Sequence, residues 1–373
     1  MHMPDQGRQS SQLEHSIVAH RPGRFAGWPA NNGVWLWRGN EILVGFSDGA
    51  YVEQSGHNIE GKSDNTASIR SLLSRSRDGG KTWQVEEPVG FVTFDAVGQP
   101  LSQPLRFDHP DLAMRVAAIG YHGVRTPAGA FYVSTDRGKA WTGPHAFGGL
   151  TDVPELKGMD ITGRTSYLVT GKSSSLFFLS ARPVKVERGA VGGDKPFCAE
   201  TSDGGKSFRF ISWIVPRTDP FRAVMPSVVR HKDGSLVAAL RRRILSDNSV
   251  PCWVDCYGSN DNARTWRFLG RVAETGKENG NPPALVAMRD GRLCCVYGDR
   301  TQALMLGRYS NDGGSTWGDA FTLRSDFKAD TFGDNDLGYP RLVQLRDSTL
   351  VAMYYWSTAQ IPQQHIAATR WKP

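Results

Sequence analysis

An eight-residue box that occurs five times constrains the fold of this chain more than any other feature. SRDGGKTW runs from Ser76 to Trp83, STDRGKAW from Ser134 to Trp141 and TSDGGKSF from Thr201 to Phe208. SNDNARTW follows from Ser259 to Trp266, and SNDGGSTW from Ser310 to Trp317. The boxes start 58, 67, 58 and 51 residues apart. Such a period means one supersecondary unit packed against copies of itself, and the chain has room for about six.

Each box residue has a local task. The Asp accepts hydrogen bonds from the amides of a tight turn. The Gly supplies a positive-φ position. The closing Trp or Phe starts a strand and packs under the turn. Strand-like runs flank the boxes, FYVS (131–134) before one and RFLGRV (267–272) after another. A more apolar strand precedes each pair: EILVGF (41–46), SLVAAL (235–240), RLCCVY (292–297) and TLVAMYY (349–355). The 41 glycines and 21 prolines lie scattered among these runs, as in a turn-rich β protein. The expected fold is all-β, a six-bladed propeller of four-stranded antiparallel blades with five box turns. Six inner strands are expected near residues 34–47, 114–121, 167–181, 227–240, 284–297 and 342–355. Residues 366–371 read as an outer strand. Residues 21–373 read as a single domain, and residues 1–20 as a tail or tag that helps close the ring.

Composition excludes several functions. The net charge is +7, with no run of five like charges, so nucleic acid is not an expected partner. No apolar stretch is long enough for a membrane helix. The first residues carry no apolar leader; the expected location is secreted or periplasmic if a leader has been removed, and cytoplasmic otherwise. Five cysteines without a CxxC pair make a metal site unexpected, and no cofactor is expected.

The boxes resemble the Asp boxes of the sialidase superfamily, whose members are six-bladed propellers. Four stretches resemble a bacterial sialidase-like subgroup: DHPDLA (108–113), MPSVVRHKDGSLVAALRRR (225–243), GNPPALVAMRDGRLCCVYGDR (280–300) and DLGYPRLVQL (336–345). The resemblance implies an exo-acting glycosidase that binds the carboxylate of a terminal acidic sugar with three arginines. It also implies a Tyr nucleophile activated by Glu, and a loop Asp as acid/base. Guanidinium forks suit a carboxylate, and a neutral nucleophile avoids its repulsion.

Carried over residue by residue, the resemblance makes Tyr339 the nucleophile and Asp64 the acid/base. Arg24, Arg241 and Arg300 form the clamp, with Arg341 and His57 beside them. Two positions depart from the family pattern: Gly27 stands where its first arginine belongs, and residues 223–226 lack its Glu. Asp334, Asp336 and Glu278 are the alternative activators. Asp108 and His109 form a second cluster, with His109 a candidate acid or base. Together with Arg300 and Tyr339, that cluster also fits a uronate lyase, and the two departures equally suit another, non-sialic glycosidase on the same fold. A noncatalytic glycan-binding propeller is the third reading. Under each reading the partner is an acidic glycan.

Overall fold

The computed structural model describes residues 12–60, 69–90, 97–117, 129–162, 164, 166–183, 193–244, 250–277 and 280–373. They form six antiparallel sheets around a central channel. Blade one holds Arg24–Gly27, Val34–Trp37, Glu41–Ala50, Arg70–Ser76 and Gln84–Glu86. Blade two has three described strands, Ala113–Ala117, Ala130–Ser134 and Thr142–Ala146. Blade three holds Met159–Thr162, Tyr167–Val169, Ser175–Pro183, Lys195–Thr201 and Arg209–Trp213. Blade four is Arg222–Arg230, Leu236–Arg243, Cys252–Ser259 and Arg267–Glu274. Blade five is Ala284–Ala287, Leu293–Asp299, Leu304–Ser310 and Phe321–Arg324. Blade six joins Gly338–Gln344, Leu350–Trp356 and His365–Trp371 to the N-terminal strand Glu14–Ala19.

That last pairing changes two expectations. Residues 14–19, expected in the tail, are the outermost strand of blade six, in register with residues 366–370. Residues 366–371 are therefore its third strand. The apolar runs around SLVAAL, RLCCVY and TLVAMYY are second strands, packed on both faces by neighbouring blades. Burial on both faces explains why they read as continuous apolar stretches.

All five boxes form the same turn. In the first, Asp78 accepts the amides of Lys81 (3.1 Å) and Thr82 (2.9 Å) and the Thr82 hydroxyl (2.6 Å). The Ser76 hydroxyl accepts the Gly80 amide at 2.7 Å. Gly79 and Gly80 have φ of 72° and 87°, which a side chain would resist. Burial works against the charge of Asp78, but these hydrogen bonds more than offset it and hold the carboxyl at about 2.

A second repeated feature lies on the channel side. About four residues above the box level, the inner strand of blade after blade is interrupted. Register breaks fall between Val224 and Ser227 in blade four and between Gly338 and Arg341 in blade six. In blade one the break holds a helical turn, Pro29–Asn32. In blade three it lies between Thr162 and Tyr167. Trp28, Met225 and Tyr339, each before a proline, have φ of 56°, 59° and 49°. Bulky residues before proline normally stay extended, so each step costs on the order of 1–3 kcal/mol. Three such residues around one channel mouth mark a place built for something other than stability.

Candidate functional site

Register fixes which residues share an end of the propeller. The boxes close the third strands at one end. Arg24, Asp48, Arg241, Arg300, Gly338 and Tyr339 lie at the other.

Asp336 is the hub at that other end. It is buried, and its Oδ1 takes His57 Nδ1 at 2.8 Å, Arg300 Nη2 at 3.2 Å and the Tyr355 hydroxyl. Arg300 Nη2 also donates to the Tyr355 oxygen at 2.7 Å. Burial opposes the Asp336 charge, yet His57, Arg300 and the Tyr355 hydroxyl together keep the carboxyl below its ordinary range. Burial pushes Tyr355 well up, so it stays a protonated donor. An ionised carboxylate only accepts, so His57 Nδ1 is the donor in that pair and Nε2 is the ring nitrogen left for other chemistry. The edge-on Trp28 ring, 5.1 Å away between centroids, fixes the imidazole plane.

Tyr339 is the second centre. Arg241 Nη1 donates to its hydroxyl at 3.0 Å. The guanidinium carbons of Arg241 and Arg300 each lie 5.9 Å from its ring centroid. The left-handed backbone of Tyr339 is held by Asn281, whose Oδ1 accepts the Tyr339 amide at 2.8 Å. Gly338, at φ 101°, admits that amide side chain because a Cβ there would meet Oδ1 at 2.1 Å. Blades four, five and six thus deliver Arg241, Arg300 and Tyr339 to one spot. Strand alternation sends Arg242 the other way, onto Asp219 at 2.8 Å.

The other expected site residues lie elsewhere. Arg24 is on the correct end but is bound by Asp48, which also pairs with Arg21 (2.5 Å) and Arg70 (3.7 Å). Arg341 turns inward and donates to the Ala30 carbonyl at 2.5 Å, so it braces the helical turn. Asp108 and His109 are at the box end, so they are not part of this site. Asp108 is exposed and pairs with Arg106 at 3.1 Å. His109 Nδ1 accepts the Asp111 amide at 3.2 Å, and Asp111 holds box residue Arg137 at 2.5 Å. This cluster ties a turn to the second box. Asp299, beside Arg300, instead accepts the Gln302 amide and side chain, both at 2.9 Å. Asp334 accepts the Gly56 amide at 2.7 Å, and so fastens the loop that carries His57. Asp64 and Glu278 lie outside the described residues.

Sequence reasoning named Asp336 only as an activator and did not find Tyr355 or Asn281. One signal was available: proline after Trp28, Met225, Asn281 and Tyr339 marks the interrupted inner strands. Below these interruptions the channel holds a cavity of about 360 Å³, lined by Trp35, Tyr167, Ser166, Ser227 and Arg341 among others. Among the described residues, no group of three His, Cys, Asp or Glu side chains could hold a metal.

A family model described as a BNR repeat-like domain matches residues 51–352. No curated protein matches the sequence. A Dyadobacter fermentans protein of unknown function is similar in structure, with 19% identity and a TM-score of 0.68, over 98% of this chain and 100% of that one. The GH93 α-L-arabinofuranosidase of Fusarium graminearum, solved with arabinobiose, has 13% identity and a TM-score of 0.60, over 94% and 93%. An ulvan lyase of polysaccharide lyase family PL25, bound to -[GlcA(1-4)Rha3S]-, has 12% identity and a TM-score of 0.50, over 91% and 78%. At these identities the likenesses establish the propeller fold.

Proposed function

Since the chain belongs to the BNR repeat-like domain family, we propose that it is a carbohydrate-active enzyme that binds an acidic sugar over Tyr339. The arabinofuranosidase and the ulvan lyase support sugar chemistry on this fold. The observation that carries the reaction is His57, held by buried Asp336 next to Arg300 and Tyr339. A histidine oriented by a carboxylate is a general base working near neutral pH. Arginines beside it stabilise the charge that develops when a proton leaves the carbon next to a carboxylate.

The reaction this suits best is elimination from a uronate. His57 Nε2 takes the proton from the carbon next to the carboxylate. The electron pair forms the new carbon–carbon double bond as the bond to the glycosidic oxygen breaks. The Tyr339 hydroxyl gives its proton to that oxygen. Arg241 and Arg300 hold the carboxylate throughout. A second reading keeps Tyr339 as nucleophile of a sialidase-type exo-glycosidase, and is favoured by the two guanidinium groups that flank its ring.

Two assays separate these readings. A panel of uronic-acid polysaccharides is followed by ultraviolet absorbance of the unsaturated product, and an α-sialoside with a fluorogenic leaving group is followed in parallel. Elimination predicts an absorbance rise that falls by about 10²-fold or more in His57→Gln and in Tyr339→Phe. Fluorescence without absorbance, lost in Tyr339→Phe, would replace it with the hydrolase. Affinity for glycans without turnover in either assay would make the chain a binding protein.

A further inference from the structure

Residues 325–337 run from the outermost strand of blade five, Phe321–Arg324, to the inner strand of blade six, Gly338–Gln344. They therefore cross the end of the propeller that carries Tyr339. The Lys328 amide donates to the Ser357 carbonyl at 3.1 Å on the outer part of this path. The Asn335 side chain donates to the Arg300 carbonyl at 2.6 Å beside the basin. Phe332 lies between these two anchors. Its phenyl ring is 57% exposed, more than any other described phenylalanine.

The backbone beneath that ring is fixed. Asp330 Oδ1 accepts the amides of Phe332 at 3.0 Å and Asp334 at 3.3 Å, and the Asp330 carbonyl accepts the Gly333 amide at 3.1 Å. Glu53 Oε1 accepts the Thr331 amide at 2.6 Å. Asp330 also accepts the Asn58 side-chain amide, and Asp334 accepts the Gly56 amide at 2.7 Å. The turn that carries Phe332 is thus bonded to the residues on both sides of His57. A single exposed apolar side chain on a surface needs no explanation. A phenyl ring on a pinned turn, at the edge of a basin whose other groups are charged or polar, has a more specific use. Carbohydrate rings offer apolar C–H faces between their hydroxyl edges, and aromatic side chains cover such faces while a few polar groups fix orientation. A fixed platform also loses little freedom on binding.

We propose that Phe332 is a stacking platform for the sugar next to the one over Tyr339, where the glycan leaves the basin along the 325–337 path. This rests on reading the basin over Tyr339 as the sugar site, and it deepens that reading. Arg241 and Arg300 hold the acidic group, and Phe332 holds the uncharged ring face of the neighbour. The substrate class is then a glycan chain, not a free monosaccharide.

The test compares affinities for single sugars and for chains by calorimetric titration. Galacturonate is set against the oligogalacturonate hexasaccharide, and glucuronate against the hyaluronan hexasaccharide. All proteins carry His57→Gln, so that base-catalysed elimination does not consume the chains. In this parent, at least one hexasaccharide should bind more tightly than its monosaccharide. Phe332→Ala should weaken hexasaccharide binding about tenfold, the effect of uncovering one face of a phenyl ring, and leave the monosaccharide unchanged. Phe332→Trp, which keeps an aromatic face, should retain the tight binding. Stacking on a phenyl face involves no net charge, so the loss in Phe332→Ala should be the same at about 0.05 M and about 0.5 M salt. An equal loss for single sugar and chain would overturn the platform, because Phe332 would then act by supporting the His57 loop. Unchanged hexasaccharide binding in Phe332→Ala, with Arg300→Gln still weakening the monosaccharide, would also overturn it and leave the basin over Tyr339 intact. Chain binding lost in Phe332→Ala but not in Arg300→Gln would keep the platform and remove the clamp. No binding of either hexasaccharide to the parent would overturn the platform, and the polysaccharide assays would still decide the function on their own.

Discussion

Asp336 connects stability and chemistry through a single carboxylate. It compensates Arg300, orients His57 and fixes Tyr355 as a donor. Asp336→Asn removes a buried charge from a paired network, which costs on the order of 3–5 kcal/mol. The sign of its pH dependence follows from the depressed carboxyl. Its stabilisation is complete above the ordinary carboxyl value of about 4 and is lost as pH falls through the lower folded value. Urea midpoints of wild type and Asp336→Asn should therefore differ most near neutrality and converge in acid. A constant gap across that window would mean that Asp336 is not ionised in the fold. How legible such a residue is in sequence depends on how local its partners are. Tyr339, Arg241 and Arg300, which the structure brings together, each sit at an end of a repeated strand. His57 and Asp336 lie 279 positions apart on two irregular loops, so no pattern announced that they meet. Asp108 and His109 misled because a cluster of chemical side chains says nothing about which end of a blade it caps.

The recurring element is the box turn, whose sequence predicts its structure almost completely. The side-chain-to-amide hydrogen bonds that shape the turn close within eight residues, while the Gly79, Arg137 and Gly204 amides reach the Asn40, Asp111 and Ser173 carbonyls of an adjacent turn. In the fifth copy Asp312 accepts the Ser315 and Thr316 amides at 3.1 and 2.9 Å. Asp312→Ala should cost about 1–2 kcal/mol, comparable to losing a helix cap, and leave turnover unchanged because the turn is at the far end from Tyr339. Denaturant unfolding together with an activity assay checks both halves. Asp78, Asp261 and Asp312 are all held at about 2. Their contributions should persist below pH 4 and fade together as pH approaches 2. The blade-four copy shows the latitude of the motif. Asn262 and Ala263 take φ of 57° and 69° where the other copies have glycine, apart from Arg137 of the second copy at φ 61°. At Gly314 that latitude ends, since a Cβ would lie 2.9 Å from Cys256 Sγ. The inner-strand interruptions were less legible, because the X-Pro pairs differ in their first residue and blade three uses Arg164 without a proline.

At the level of the whole molecule the sequence revealed six units and an N-terminal segment that helps close the ring, but not that this segment supplies a strand of blade six. Five boxes and a box-free sixth unit defined the ring, yet residues 14–19 carry no box and read as a tail. They form an ordered strand: Val18 and Ala19 are buried, and the Val18 carbonyl accepts the Ser74 hydroxyl of blade one at 2.8 Å. Deleting residues 1–19 should remove the outer strand of blade six and cost about 3 kcal/mol or more, from the lost side-chain burial and strand pairing. A lower melting temperature with higher-order species on size exclusion would match an exposed sheet edge. An unchanged melt would place the closure elsewhere.

The seam also sets an order of events. His15 meets Thr369, 354 positions away, so the contact that closes the circle has nearly the largest sequence separation the chain allows. The other blades consist of neighbouring strands and can assemble as they emerge. The first strand, although synthesised early, must wait unpaired until the last hairpin arrives. Forming that one contact means closing a loop of almost the entire polypeptide, so joining first strand to last is expected to be the late, slow stage of folding.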